Sequence, residues 1–102
     1  MKTPALILLV RFKSRLPFEE AMRIAEERAP EFRALGGLQQ KYYLKDAATG
    51  EMAGLYLWES PEALDAYRKS ALRASIAAAY QAASEPRIEV YEVMMPLRET
   101  GG

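Results

Sequence analysis

The sequence contains no cysteine and no histidine, and it has a single tryptophan. The lack of cysteine excludes disulfides, thiolate nucleophiles and thiolate metal sites, and the lack of histidine removes the commonest metal ligand and general base. Net charge is absent too, since 14 lysines and arginines balance 14 aspartates and glutamates. A neutral chain has no overall field to attract nucleic acid or an anionic membrane. Any chemistry must therefore use lysine, tyrosine, carboxylates, arginine, an aromatic surface or the substrate itself.

Long hydrophobic runs are also missing. The apolar run at residues 5–10 is too short to span a membrane, and it lacks a signal-peptide cleavage pattern. We therefore expect a cytoplasmic protein with no membrane and no nucleic-acid partner. The length of 102 residues suits one domain, so we predict a single domain over residues 1–102, with a core at about 5–97 and a frayed tail at 98–102.

The first part of the chain predicts a strand followed by a helix. Residues 5–12 are apolar at odd and even positions, as in a strand that is covered on both faces. From Pro17 onward the apolar residues recur with helical spacing, at Phe18, Ala21, Met22, Ala25 and Ala29. Pro17 suits the first turn of this helix, and Pro30 should kink or end it.

A hairpin is predicted next, from strands at 38–45 and 52–59 joined by a loop at 46–50. If Asp46 pairs with Glu51, the residues Gln39, Lys41 and Tyr43 lie opposite Trp58, Tyr56 and Gly54 on one face. We expect this aromatic face to point away from the chain's own helices, into a space closed by a second subunit. The other face is expected to pack on the helices, and it carries Leu38, Tyr42, Leu44, Ala53, Leu55 and Leu57.

A second helix and a last strand complete the pattern. Ser60, Pro61 and Glu62 form a helix start signal, and the apolar stripe that follows drifts near Ser70, where the helix should bend or restart. Residues 87–95 have the composition of a strand. The order βαββαβ is the ferredoxin-like α+β arrangement, with a four-stranded antiparallel sheet and both helices on one face. Because the strands are apolar on both faces, the uncovered face favours a homodimer.

Five stretches of the sequence occur in an order and spacing typical of one family. They are Pro17-Phe18-x-x-Ala21-Met22, Gly37-Leu38-x-x-Lys41, Thr49-Gly50-Glu51-x-Ala53-Gly54-Leu55-Tyr56-Leu57-Trp58-Glu59, Ala66-Tyr67 and Val90-Tyr91-Glu92-Val93-x-x-Pro96-Leu97. Together they resemble the YdhR-type monooxygenase family of the dimeric α+β barrel superfamily, from about Ile7 to Leu97. The resemblance implies a homodimer whose two sheets form a barrel, with a pocket in each subunit between the sheet and the bordering helices.

The resemblance also bears on cofactors and reaction. Relatives in the superfamily include cofactor-free oxygenases of polycyclic aromatics, haem-degrading enzymes, and lactone isomerases or decarboxylases. Haem-degrading relatives place an aromatic residue near Trp58 and a haem-ligating histidine near Tyr67. This chain has no histidine, although a tyrosinate ligand is chemically possible. No G-x-G-x-x-G or P-loop motif offers a nucleotide site. We therefore expect no cofactor and no metal, and a cofactor-independent monooxygenase acting on a small hydroxylated aromatic or quinol-like substrate.

Lys41, Trp58 and Tyr67 are the predicted catalytic residues. A lysine on the aromatic face is costly to bury as a cation, so its pKa should fall, unless it reaches solvent at an edge or pairs across a dimer. Trp58 and Tyr67 are alternatively core residues. The predicted substrate-binding residues are Arg11, Gln39, Tyr43 and Tyr56. The alternative functions are a non-catalytic dimer that binds a small hydrophobic ligand, and an isomerase or decarboxylase.

Overall fold

A computed structural model describes residues 2–98 of the chain. The elements are β1 (Leu6–Phe12), α1 (Phe18–Arg33), β2 (Leu38–Lys45), β3 (Met52–Trp58), α2 (Pro61–Arg68), α3 (Ala71–Ala74), α4 (Ile76–Ala79) and β4 (Arg87–Glu92). The strands form one antiparallel sheet in the order β2-β3-β1-β4. This confirms the predicted ferredoxin-like α+β fold. The predicted frayed tail lies, apart from its first residue, outside the described residues.

Helix α1 begins where the sequence predicts but continues past Pro30 to Arg33. Of the two outcomes predicted for Pro30, a kink or an end, the end is therefore wrong. Phe32 lies on the same buried stripe as Ala21 and Ala25, and it is 4% exposed. Burial of this ring offsets the backbone hydrogen bond that Pro30 cannot donate.

The second helical region is divided by serines. The Oγ of Ser60 accepts a hydrogen bond from the backbone N–H of Ala63 at 3.2 Å and starts α2. Ser70 accepts from the N–H of Arg73 at 3.1 Å and starts α3, so the predicted restart near Ser70 is confirmed. None of the described helices is long and apolar enough to cross a membrane.

The hairpin register agrees with the prediction except at its open end. The N–H of Asp46 donates to the carbonyl of Glu51 at 2.8 Å, Lys41 lies opposite Tyr56, and Tyr43 lies opposite Gly54. A register shift falls between Leu38 and Gln40, and Leu38 rather than Gln39 lies opposite Trp58. The pairing of Gln39 with Trp58 was therefore wrong, because the irregularity adds one residue to β2. Leu38 thereby joins the face of Trp58.

The orientation predicted for the two hairpin faces was also wrong. Trp58 and Tyr56 are 0% and 1% exposed, and their rings pack against Tyr67 of α2, within one core that also contains Phe32 of α1. The leucines instead lie on the uncovered face, where Leu55 and Leu57 pair with Leu9 and Ile7 of β1. Both faces are apolar, so alternation alone does not decide which one meets the helices. The aromatic face buries the larger side chains there.

Candidate functional site

Lys41 extends from β2 toward α1 into an aromatic environment. Its Nζ lies 3.5 Å from the ring centroid of Phe32, 4.4 Å from that of Tyr43 and 4.6 Å from that of Tyr56. A cation over such rings gains roughly 0.5 to 2 kcal/mol. Within residues 2–98 no carboxylate forms an ion pair with this amine. In this part of the chain Lys41 therefore contacts aromatic ring faces and has no acidic partner.

The surroundings of Lys41 change its acidity. Burial lowers the pKa of the Lys41 amine to about 7, and the positive charge of Arg28 acts in the same direction. Arg28 is fixed on α1, where its Nη2 donates to the Oγ of Ser75 at 2.6 Å. The three ring faces favour the ammonium form and oppose this shift. Lys41 can therefore accept a proton near neutral pH and, once charged, stabilise an anion beside it.

A cavity of about 300 Å³ opens beside Lys41. Its walls come from α1 and β2 and consist of Ala29, Phe32, Arg33, Leu38, Gln39, Gln40, Lys41 and Tyr43. The Oε1 of Gln39 is buried and finds no hydrogen-bond partner in the described part of the chain. The walls combine polar and charged side chains with the apolar surfaces of Phe32 and Leu38, and this mixture suits an organic molecule that carries hydroxyls. The described residues include no cluster of carboxylates that could hold a metal ion.

Tyr56, Trp58 and Tyr67 form an aromatic cluster next to Lys41. The Tyr56 and Trp58 rings are nearly parallel, with an interplanar angle of 4°, and the Tyr67 centroid lies 5.3 Å from that of Tyr56 and 5.2 Å from that of Trp58. The hydroxyl of Tyr67 donates to that of Tyr56 at 3.2 Å. Burial raises the pKa of both tyrosines above its usual value, so both stay protonated at neutral pH. The indole N–H of Trp58 is buried and has no acceptor among residues 2–98.

The structure brings most of the predicted site residues together but at different depths. Gln39, Lys41 and Tyr43 line the 300 Å³ cavity. Tyr56 lies within reach of Lys41, whereas Trp58 and Tyr67 are in the core and are not among the residues that line this cavity. Their side chains pack against Tyr56, which in turn contacts Lys41.

Arg11 is separated from this group. It pairs with Ala53 in β3 and with Arg87 in β4, on the uncovered face of the sheet. Its Nη1 lies 3.7 Å from the Oδ2 of Asp46. The even-numbered residues of β1 face the helices, so an odd-numbered residue cannot reach the cavity through the sheet.

Two residues of the site were missed from the sequence. Phe32 follows Pro30, which was expected to kink or end the helix, although the spacing of Ala21, Ala25 and Phe32 continues the buried stripe. Arg28 acts on Lys41 through its charge, and no sequence pattern marks it out. Its place depends on the tertiary hydrogen bond from α1 to Ser75, which lies between α3 and α4.

Solved structures share this fold over nearly the whole chain. A protein of unknown function from Nitrosomonas europaea, NE2512, is 21% identical with a TM-score of 0.74, covering 99% of this chain and 100% of that one. SnoaB, a cofactor-independent oxygenase from Streptomyces nogalater, is 14% identical with a TM-score of 0.74, covering 94% and 99%. A "putative antibiotic biosynthesis monooxygenase" from Deinococcus radiodurans is 14% identical with a TM-score of 0.70, also covering 94% and 99%. At these identities the likeness establishes a common fold.

No curated protein matches the sequence significantly. A family model does match it, over residues 7–100, which include all seven predicted site residues from Arg11 to Tyr67. The chain therefore belongs to the family described as "Putative mono-oxygenase ydhR".

Proposed function

We propose that the protein is a cofactor-independent monooxygenase that oxidises a small hydroxylated aromatic or quinol-like molecule in the cavity beside Lys41. One observation carries the proposal: a lysine amine with no acidic partner among residues 2–98 lies among three aromatic rings at the wall of a cavity. Membership of the monooxygenase family supports the reaction class. The fold shared with SnoaB supports chemistry without a cofactor.

Lys41 acts first as a base in this proposal. Its pKa of about 7 lets the neutral amine accept the proton of the substrate hydroxyl, and the resulting ammonium stabilises the phenolate. The phenolate transfers one electron to O₂, which gives a substrate radical and superoxide. These two radicals combine at a ring carbon that bears a hydrogen, ortho or para to the hydroxyl, and form a C–O bond.

The second half of the reaction returns the proton. The ammonium of Lys41 gives its proton to the terminal oxygen of the peroxide, and the hydroperoxide then loses water with the hydrogen of the same carbon. A carbonyl remains, so the product is a quinone. One atom of O₂ enters the product and the other leaves as water, while the substrate supplies all the electrons. Lys41 ends in the state in which it began.

The remaining site residues bind and position in this proposal. Phe32 and Tyr43 stack on the ring of the substrate, and the buried Oε1 of Gln39 accepts a hydrogen bond from a second hydroxyl. Trp58 and Tyr67 are positioning residues, because they hold Tyr56 against the Lys41 side chain.

We further propose that the protein is a homodimer through the uncovered face of the sheet. Covering about 800 Å² of apolar surface on each subunit would contribute on the order of 20 kcal/mol before the costs of association. This face carries Ile7, Leu9, Tyr42, Leu44, Leu55, Leu57 and Tyr91.

Oxygen uptake with a panel of hydroxyanthrones and quinols tests the proposed reaction. We expect one O₂ to be consumed per substrate molecule. With ¹⁸O₂, the oxygen atom added to the product should carry the label, and with labelled water and ordinary O₂ it should not. Lys41→Met should lower turnover about 10²-fold or more. Lys45→Met is the matched control, because Lys45 lies on the same strand with its Nζ 4.4 Å from the ring of Phe18 but does not line the cavity. Equal loss in both variants, or none in either, would contradict the role of Lys41.

A binding protein without turnover is the second candidate. The burial of Trp58 and Tyr67, with the Tyr67 hydroxyl already bonded to Tyr56, favours it, because these side chains do not reach the cavity. Binding of the same aromatics without oxygen uptake, equal in wild type and Lys41→Met, would identify this function.

A further inference from the structure

Lys41 also lines a second, smaller cavity. The centre of a water-sized molecule can occupy about 20 Å³ inside it. Lys41 and Tyr43 line both cavities, whereas the other walls of the small one come from the sheet and the α4 region. These walls are Val10, Phe12, Met52, Ala53, Gly54, Tyr56, Ile76 and Tyr80.

We propose that this small cavity is the dioxygen site of the oxidation proposed above, on which the inference rests. A volume of this size admits one molecule of one or two heavy atoms. Most of its wall is apolar, from residues such as Val10, Phe12, Met52 and Ile76, and the polar groups on it belong to Lys41 and to the tyrosines 43, 56 and 80. Dioxygen forms no strong hydrogen bonds and prefers apolar surroundings, so it suits these walls better than water does.

Because Lys41 lines both cavities, its positive charge can stabilise a negative charge in either one. Electron transfer moves a negative charge from the phenolate in the large cavity to O₂ in the small one. Because the Lys41 side chain borders both spaces, its ammonium remains next to the charge before and after the transfer. A fixed cation in surroundings of low dielectric constant stabilises the superoxide strongly.

Gly54 provides the space for this arrangement. It pairs with Val10 on one side and with Tyr43 on the other, in the middle of the sheet. A Cβ atom at this position would lie 2.9 Å from Cε1 of Tyr56 and 3.3 Å from Cε of Lys41. The missing side chain therefore leaves room for Lys41 and Tyr56 where they border the small cavity.

Dissolved O₂ is paramagnetic and speeds the NMR relaxation of nearby methyl groups, which tests the site without any turnover. The wild-type protein without organic substrate is compared under nitrogen and under oxygen pressure. We expect several-fold larger enhancement at the methyls of Val10 and Ile76 than at those of Leu64 and Ala21, which are similarly buried but line neither cavity. Equal enhancement at all four, or water cross-peaks to the Ile76 methyls, would overturn the proposal.

Filling the cavity tests its part in the reaction. Ile76→Phe and Met52→Phe place a ring in the cavity from two different elements, and Leu72→Phe is the control, because Leu72 packs on the core without lining either cavity. We expect the methyl enhancement to vanish and the KM for O₂ to rise about tenfold in a folded filled variant. The anaerobic Kd of the aromatic substrate should change less than about twofold. An unchanged KM for O₂ in filled variants with normal melting curves would refute the inference. If the wild type oxidises no substrate at all, the proposed function fails, and the relaxation experiment still decides whether O₂ enters the cavity.

Discussion

The Nζ atom of Lys41 lies 3.5 Å from the ring centroid of Phe32, which joins the second strand to the last turn of the first helix. Phe32 occupies this place because α1 continues past Pro30. Its buried ring keeps water from the amine, and this loss of solvation is the main cause of the low pKa of Lys41. The local extension of one helix thus determines the surroundings of the Lys41 amine on the sheet.

The first prediction concerns the pH dependence of stability. The pKa of Lys41 is about 7 in the folded protein, compared with 10.5 for an unperturbed lysine. Below pH 7 the folded state carries the full cost of the buried ammonium, and this cost declines as the pH rises toward 10.5, because there the unfolded chain binds more protons. Lys41→Met should therefore be more stable than wild type at pH 6 by on the order of a few kcal/mol, with the difference shrinking by pH 10.

Denaturant unfolding from pH 6 to pH 10 at one protein concentration measures this difference. Lys45→Met is the control variant for the substitution itself, because Lys45 lies on the same strand and is exposed. A Lys41→Met difference that does not change with pH would show that the Lys41 pKa is close to its usual value.

The second prediction concerns the hydrogen bond between Tyr67 and Tyr56. Tyr67→Phe leaves the buried Tyr56 hydroxyl without its donor and should lower the free energy of unfolding by about 1 to 3 kcal/mol. The double variant Tyr56→Phe/Tyr67→Phe should lose less than the sum of the two single variants, since no orphaned hydroxyl remains. Strict additivity would mean that the bond contributes nothing.

The hairpin shows which parts of the fold can be predicted from sequence. Its register follows from the closed turn, in which the Oδ1 of Asp46 accepts from the N–H groups of Ala48 and Thr49 at 2.9 Å and 3.2 Å. Asp, Thr and Gly at these positions mark such a turn directly in the sequence. The register shift at Gln39 has no comparable signal in the sequence, so the residue that pairs with Trp58 could not be predicted.

The sequence predicts which residues of the candidate site share a strand face, but not which side of the sheet that face lies on. Period-two alternation places Lys41 and Tyr43 on one face of their strand. It cannot decide whether that face or the one with Leu55 meets the helices, because both would bury apolar side chains. Phe32 and Arg28 belong to the site through tertiary packing, which a single sequence does not encode as a local pattern.

The third prediction concerns the uncovered face of the sheet. The wild type should sediment at twice the 11.5 kDa mass of the chain. Leu55→Asp places a charge in the middle of the proposed interface and should give a folded monomer at micromolar concentration, because a buried unpaired charge costs several kcal/mol. Phe18→Asp, which replaces a similarly apolar and partly exposed side chain at the start of α1, should leave the dimer intact. A compact monomer for the wild type would contradict the proposed assembly.

The fourth prediction compares two glycines as a matched pair. Gly54→Ala should destabilise the protein by about 1 to 3 kcal/mol, because the new Cβ would lie 2.9 Å from Cε1 of Tyr56 and 3.3 Å from Cε of Lys41. At Gly36 no described atom lies within 4 Å of the corresponding position, and the backbone is not in the left-handed region. Gly36→Ala should therefore be neutral, or more stable by up to about 1 kcal/mol.

The same pair separates stability from reactivity. In Gly54→Ala the aromatic ring and the lysine stem must move apart, so Nζ leaves its position between the two cavities and turnover of a hydroxylated aromatic should fall, even at temperatures where the variant is fully folded. The pH at which turnover is half-maximal should rise, because a displaced amine regains water and its pKa moves back toward the usual value of 10.5. Gly36→Ala should keep the wild-type rate and pH profile. A folded Gly54→Ala variant with an unchanged pH profile would mean that the close contact of Lys41, Tyr56 and Gly54 does not set the acidity of the amine.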